Sequence, residues 1–124
     1  MTQMSTHTFV RNLIARVPEL QPLYNEHVAD NDELLPHVFM GDVTRFVMTL
    51  NANSSGKDDK FSVARQTLMK ILDFLEEGMA ASDDVKELIS VSFLENLDQS
   101  DENYSSLKSH FGNSLLKELS KYEE

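Results

Sequence analysis

Apolar residues recur at three- and four-residue spacing along most of this chain, the pattern of helices that bury one face. The first such segment covers residues 9–17, where Ser5 or Thr6 precedes it as a candidate N-cap and Pro18 follows it. A proline disfavours helical geometry in the residue before it, so the first helix is predicted to end there. A second, shorter helix is predicted over residues 20–29.

Two longer helices are predicted in the middle of the chain. The third helix begins near Leu35 and carries apolar residues at helical spacing as far as Leu50. Residues 51–56, with the sequence NANSSG, contain no apolar anchor and are predicted to form an exposed loop. Asp58 is then the predicted N-cap of a strongly amphipathic fourth helix, which ends at Gly78.

The next segment is apolar on most of its sides. Ser82 is its candidate N-cap, and residues 88–97 place Leu, Ile, Val and Phe all round a helix. We therefore predict a central helix at about residues 83–97, against which the amphipathic helices pack. A strand is the alternative, because the letters ISVSF alternate with a period of two, but the chain contains no second convincing strand to pair with it.

The last apolar stripe runs from Tyr104 to Tyr122 and is interrupted at Gly112 and Asn113. Either one bent helix or two short helices satisfy this pattern. A chain of 124 residues has the size of one compact domain. The segments together predict an all-α fold, in which residues 1–124 form a single-domain bundle of five to seven helices around the central apolar helix.

The charge of the chain is strongly unbalanced, with 21 Asp and Glu against 11 Lys and Arg and a net charge of −10. Such a surface repels nucleic acid and anionic membranes, and it attracts basic proteins. The absence of cysteine excludes disulfides, cysteine zinc sites and thiol catalysis, and it fits a reducing cytoplasm. The sequence has neither a signal peptide nor an apolar run of about 18 residues, so a cytoplasmic protein without membrane contact is expected.

No residue pattern identifies a catalytic site or a cofactor. The four histidines lack the H-x-x-x-H and H-E-x-x-H spacings of zinc sites. Neither of the phosphate-binding patterns G-x-x-x-x-G-K-[ST] and G-x-G-x-x-G occurs. We therefore expect a protein that is not an enzyme and that binds neither a metal nor a cofactor.

One polar set is a candidate site: His37, Asp42 and Arg45 on the third helix, with Glu95 on the central helix. If the fold brings them into one pocket, they are candidates for small-ligand binding or catalysis. The favoured interpretation is structural, because Asp42 and Arg45 are three residues apart on a helix and a charge near the core must be paired. Either Asp42 or Glu95 is then the partner of Arg45.

The acidic residues concentrate in the last third of the chain. Residues 81–124 carry ten acidic and four basic side chains, a net charge of −6. A solvated helix face is one explanation, but two clusters that flank one apolar helix favour an interface for a basic partner. The predicted partner-binding residues lie at the start of the central helix and around its end: Asp83, Asp84, Glu87, Glu95, Asp98, Asp101 and Glu102.

Two sequence motifs resemble a family of small, functionally uncharacterised bacterial proteins that is all-helical. They are LLPH at residues 34–37 followed by GDVTR at residues 41–45, and SVSFLENL at residues 90–97. By type, the chain is also similar to the immunity proteins that bacteria encode beside secreted toxins, including those of contact-dependent growth inhibition. That similarity implies a cytoplasmic antitoxin that binds a basic nuclease domain and blocks its active site with acidic side chains.

The leading hypothesis is therefore an acidic immunity protein whose partner is a basic nuclease toxin. Such a protein is expected to be a monomer when free. The alternative is a self-associating structural or regulatory helical protein without catalytic activity, because the apolar stretches at residues 38–50 and 88–97 offer surface for self-association.

Overall fold

The computed structural model describes residues 4–53 and 63–123, and these residues form helices joined by short turns. No strand occurs in either described range, so the predicted all-α fold is confirmed. The elements are α1 (Thr6–Arg16), a 3₁₀ turn (Pro18–Leu20), α2 (Gln21–Asn31), α3 (Pro36–Asn53), α4 (Val63–Gly78), α5 (Asp83–Glu87), a π-helix (Leu88–Leu94), α6 (Tyr104–Lys108) and α7 (Asn113–Leu119).

Two predicted N-caps begin their helices. The Ser5 hydroxyl oxygen accepts a hydrogen bond from the Thr8 amide at 3.1 Å, and the Ser82 hydroxyl oxygen accepts one from the Val85 amide at 3.1 Å. Ser82 also donates to the carbonyl oxygen of Met4 at 2.8 Å. That second bond ties the residues before α1 to the start of α5.

The third helix is longer than its sequence pattern predicts. The residues Asn51–Asn53 form the last turn of α3 instead of an exposed loop, so that prediction is wrong for these three residues. Asn51 is buried, and its side-chain nitrogen donates to the carbonyl oxygen of Asn103 at 3.0 Å. The Asn103 carbonyl oxygen, which is distant in sequence, thus accepts a hydrogen bond from the side-chain nitrogen of a residue that its polar sequence context predicts to be exposed. The rest of the predicted loop and the predicted N-cap Asp58 lie outside the described residues.

The central segment is helical, and its second half is a π-helix. The Glu95 amide donates to the carbonyl oxygen of Ser90 at 3.0 Å, a bond that reaches five residues back. The π-helix packs against α3 and α7, and six of its seven residues are buried. A helix, rather than a strand, therefore lies at the centre of the bundle as predicted, although it ends at Leu94 and not near residue 97.

Side chains from outside the π-helix satisfy carbonyl groups at its end. The Asn96 side-chain amide donates to the Ser92 carbonyl oxygen at 2.8 Å. The hydroxyl of Thr44, a buried residue of α3, lies 3.0 Å from the Phe93 carbonyl oxygen. The last carbonyl groups of a helix have no partner within the helix itself. Thr44 and Asn96 therefore stabilise the end of the central helix and join it to α3.

Gly78 permits a close contact between α1, α4 and the π-helix. A Cβ atom built on Gly78 comes within 2.6 Å of Phe9 Cε1 and 2.9 Å of Ile89 Cδ1, and both of these side chains are buried. The Phe9 ring also stacks on that of Phe74, one turn before Gly78 on α4, with the centroids 5.1 Å apart. Gly78, the last residue of α4, therefore has to be small because a larger side chain would collide with Phe9 and Ile89.

Gly78→Ala is expected to lower the free energy of unfolding by about 1–3 kcal/mol, because overpacking forces core side chains out of their preferred positions. Gly41→Ala is the matched control, since its Cβ meets nothing closer than Asn96 Nδ2 at 3.6 Å, an ordinary contact. Alanine in a helix interior is more stable than glycine by about 0.5–1 kcal/mol. Urea denaturation should therefore give a lower midpoint for Gly78→Ala and an unchanged or higher one for Gly41→Ala. Equal losses in both variants would contradict this account.

The final segment forms two short helices, and a carboxylate of α4 caps the second of them. Glu76 Oε2 accepts a hydrogen bond from the Ser114 amide at 2.9 Å, and Oε1 accepts one from the Leu115 amide at 3.0 Å. The first amides of a helix have no partner within it, so these bonds stabilise the start of α7. Gly112 leaves the space for this contact, because a Cβ on it would lie 2.5 Å from Glu76 Cδ.

Glu76→Ala is expected to lower the free energy of unfolding by about 1–2 kcal/mol, the usual effect of removing a helix cap. The neighbouring Glu77→Ala serves as the control. Glu77 makes an exposed ion pair with Arg16 at 3.4 Å, and pairs of that kind contribute about 0–1 kcal/mol. Thermal denaturation of both variants measures the difference, and a larger loss in Glu77→Ala would rule out the capping role.

Candidate functional site

An exposed stripe of acidic residues follows the outer edge of the central helix. It consists of Asp83, Glu87, Val91 and Glu95, which are spaced four residues apart and are all exposed. The other π-helix residues are buried, so Val91 is the point at which the π-helix reaches the surface. We call these four residues the acidic stripe.

Three of the partner-binding residues that the sequence predicts lie in the acidic stripe: Asp83, Glu87 and Glu95. A fourth predicted residue, Asp84, is exposed beside Asp83. None of the three stripe carboxylates makes an ion pair within the described residues. Their charges therefore remain for a partner to neutralise.

The remaining predicted residues lie in the turn that follows the π-helix. Asp98 Oδ1 accepts hydrogen bonds from the Ser100 amide at 3.0 Å and the Ser100 hydroxyl at 2.6 Å, and these bonds lower the pKa of Asp98. Asp101 Oδ1 accepts a hydrogen bond from the Asn103 amide at 2.7 Å. Glu102 is exposed. Asp98 and Asp101 thus shape a turn at one end of the acidic stripe, and only part of their hydrogen-bonding capacity is left for a partner.

Two exposed valines lie beside the contact between α3 and the π-helix. His37 Nδ1 and Ser92 Oγ are 2.5 Å apart, and this hydrogen bond joins the first turn of α3 to the π-helix. Val38 follows His37 and is 50% exposed, whereas Val91 precedes Ser92 and is 43% exposed. The acidic stripe therefore has exposed apolar surface at its centre and next to it. Such surface next to charge is typical of protein interfaces.

The candidate polar set does not assemble into one pocket. Asp42 and Arg45 form an ion pair on the surface of α3, where the Arg45 side chain is 72% exposed. His37 contacts Ser92 instead, and no ion pair joins Glu95 to Arg45 within the described ranges. Of the two partners that the sequence leaves open for Arg45, Asp42 and Glu95, the structure contains the pair with Asp42.

Asp42 instead faces a histidine that the sequence pattern does not single out. His27 of α2 is 3% exposed, and its Nδ1 lies 3.7 Å from Asp42 Oδ2. The Leu35 amide donates to His27 Nε2 at 3.0 Å, so the ring proton of the neutral side chain is assigned to Nδ1. Because Nε2 is occupied, this nitrogen cannot serve as a base without losing that bond. His27 joins α2 to the turn before α3.

A cleft of about 380 Å³ lies between α2 and α3, next to this histidine. Glu26 and Asp30 of α2 line one wall, and Asp42 and Arg45 of α3 line the other. Across the two described ranges, no three His, Asp or Glu side chains are grouped so as to hold a metal ion. Within the same residues, no helix has the length and apolar character needed to cross a bilayer.

A second polar network connects the π-helix to the end of the chain. The Ser90 hydroxyl donates to Glu118 Oε2 at 2.6 Å, and the Tyr122 hydroxyl lies 2.7 Å from Ser90 Oγ. Glu118 Oε1 pairs with Lys121 Nζ at 3.1 Å. The Ser90 bond is the largest cause that lowers the pKa of Glu118 below its usual value of 4.5, and the charges of Lys121 and Lys86 act in the same direction.

The lowered pKa of Glu118 predicts a loss of stability in acid. A carboxyl group whose pKa is lower in the folded state contributes stability above its unfolded pKa, near 4.5, and that contribution is lost as the pH falls through the folded value. In Glu118→Gln this contribution is absent. The difference in unfolding free energy between wild type and variant should therefore shrink below pH 4.5. Urea denaturation between pH 7 and pH 3 measures it, and Glu26→Gln, an exposed carboxylate of α2, is the control. A constant difference across this range would contradict the prediction.

Comparison with known proteins places the chain in a family. No curated protein and no solved structure matches this chain. A family model described as a domain of unknown function (DUF7674) matches residues 10–124, which is nearly the whole chain. The protein therefore belongs to the DUF7674 family.

Proposed function

We propose that this protein is an acidic immunity protein, which acts in the cytoplasm and binds and blocks a basic nuclease toxin. It has no catalytic activity of its own in this proposal. The acidic stripe on the central helix forms the binding surface. The observation that supports this most is the continuous exposure of three unpaired carboxylates around Val91.

The stripe offers the two components that a stable interface needs. Asp83, Glu87 and Glu95 supply charge that raises the association rate of a basic partner and selects it over neutral or acidic proteins. Val91 supplies apolar surface that loses water on binding, and Val38 of α3 is a second exposed valine. Charge alone gives a fast and weak encounter, whereas buried apolar contacts lengthen the lifetime of the complex.

Some of the acidic residues outside the stripe are already paired within the chain. Several glutamates elsewhere are already neutralised by lysine or arginine within 4.0 Å: Glu19, Glu77, Glu118 and Glu123. A toxin that binds nucleic acid presents Lys and Arg for phosphate groups, and unpaired carboxylates compete for the same side chains. Inhibition then follows from occupation of the nucleic-acid site.

Self-association is the second candidate function, and the exposure of Val38 and Val91 favours it. A twofold interface would place the same surface patch against itself. The like charges of the acidic stripe oppose such a contact at low salt. Light scattering at low and high salt distinguishes the two proposals, because a dimer that strengthens with salt supports self-association and a monomer in both conditions excludes it.

The proposed function is tested by co-expression of the chain with the products of its neighbouring genes. The expected result is co-purification of a basic protein with nuclease activity, loss of that activity in the complex, and weaker capture at high salt. The decisive readout is nuclease activity with increasing amounts of the purified chain. A nuclease that remains fully active at saturation would overturn the proposal.

A further inference from the structure

A cationic cleft lies between α5 and α7, close to the end of α4. Its volume is about 380 Å³, and it is lined by Met79, Lys86, Ser114, Lys117, Glu118 and Lys121. Three of the 11 Lys and Arg of the chain thus line a single cleft, together with one carboxylate. The formal local charge is +2 in a protein whose net charge is −10.

Two of the three lysines of this cleft differ in their pairing from Lys70 and Lys108. Lys70 and Lys108 each pair with a glutamate at 2.9 Å. In contrast, neither Lys86 nor Lys117 has a carboxylate oxygen within 4.0 Å among the described residues. Two lysines without a partner carboxylate among the described residues therefore line the same cleft.

The single carboxylate of the cleft is already engaged on both of its oxygens. Glu118 is buried, with Oε2 bonded to the Ser90 hydroxyl and Oε1 paired with Lys121. Lys86 lies too far away for an ion pair with Glu118, although its charge still helps to lower the pKa of that carboxyl group. Glu118 consequently fixes Lys121 at the cleft and leaves Lys86 and Lys117 for an external anion.

We propose that this cleft binds a phosphate group through the ammonium groups of Lys86, Lys117 and Lys121. A phosphate dianion neutralises the formal charge of +2, and its unprotonated oxygens accept hydrogen bonds, which suits three ammonium donors. The Ser114 hydroxyl lines the cleft as a further donor. The group is either free phosphate or the phosphate of a small monoester. This inference does not depend on the proposed immunity function.

The test is a titration of the ¹⁵N-labelled full chain with phosphate compounds at pH 7.5 and constant ionic strength, in which amide chemical shifts are measured. Orthophosphate is the first probe and glycerol 3-phosphate is the second. Each probe replaces chloride in the buffer, so that the ionic strength does not change. The expected result is saturable shifts at the amides of Lys86, Ser114 and Lys117. Saturation by both probes supports a site that accepts phosphomonoesters, and saturation by orthophosphate alone supports a free-phosphate site. Linear shifts spread over the surface with both probes would overturn the proposal.

Two variants separate the cleft from general charge effects. Lys117→Gln is expected to weaken binding about fivefold, the effect of one partly exposed ion pair. Lys86→Gln/Lys117→Gln should abolish saturation. Arg11→Gln is the matched control, because Arg11 is exposed on α1 and should leave the affinity unchanged. The replaced lysines make no ion pair within the described residues, so the melting temperature should not fall. Unchanged affinity in the double variant would exclude the cleft as the binding site.

Discussion

Neutralisation of the acidic stripe is expected to weaken binding of the proposed toxin partner about 100-fold, because three charge pairs of about 1 kcal/mol each are lost and 1.4 kcal/mol corresponds to tenfold. The variant is Asp83→Asn/Glu87→Gln/Glu95→Gln, which keeps the shape of each side chain and removes three negative charges. Most of the loss at low salt should come from slower association, since long-range attraction raises the association rate. Surface plasmon resonance at two salt concentrations measures both rates.

A matched triple variant controls for the change in net charge. Glu26→Gln/Glu33→Gln/Asp73→Asn also replaces two glutamates and one aspartate, and all three residues are exposed and lie outside the stripe. We expect this variant to lose less than about threefold in affinity, because surface charges distant from the interface are screened. Similar losses in both triple variants would mean that net charge, and not the stripe, determines binding. Val91→Ala then tests the apolar centre of the stripe without any change in charge.

Phe93→Ala is expected to lower the free energy of unfolding by about 3–5 kcal/mol, the cost of removing a large buried ring. Phe93 lies in the π-helix, is fully buried, and packs near Phe111 with the ring centroids 6.5 Å apart. Since domains of this size have unfolding free energies of about 5–15 kcal/mol, the variant is expected to be close to the limit of folding. Urea denaturation followed by circular dichroism measures the loss.

The exposed residue of the same π-helix provides the comparison for Phe93. Val91→Ala should change the free energy of unfolding by less than about 0.5 kcal/mol, as for other surface positions. If Phe93→Ala does not fold, Phe93→Leu keeps most of the apolar volume and still allows the two positions to be compared. A loss in Val91→Ala as large as that in either Phe93 variant would contradict the central, one-sided burial of the π-helix.

The helices of this protein are largely predictable from sequence because their signals are local. Apolar spacing locates α1 to α4, and Ser5 and Ser82 begin their helices as single side chains near their own amides. The π-helix is not predictable in this way. Residues 88–94 are apolar on most sides of the helix, so the sequence has no apolar periodicity there from which the helix type could be identified. Its geometry depends on partners outside the segment, such as Thr44 of α3.

Contacts between distant residues account for the parts of the candidate site that the sequence does not predict. The four-residue spacing of Asp83, Glu87 and Glu95 places them on one face of the predicted helix, but only the fold shows that this face is exposed. His27 is one of four histidines without a motif, and its role follows from the Leu35 amide and Asp42. The lysine cleft combines residues from α5 and α7, so no local pattern marks it.

Cross-saturation NMR on the purified complex measures directly where the proposed partner binds. Saturation of the unlabelled partner should reduce the amide signals of Asp83, Glu87, Val91 and Glu95, and those of Val38 beside them, in the deuterated chain. Signals at Asp73 on α4 should keep their intensity. Intensity losses centred on α4 or on the cleft between α2 and α3, with the acidic stripe unaffected, would contradict the central claim.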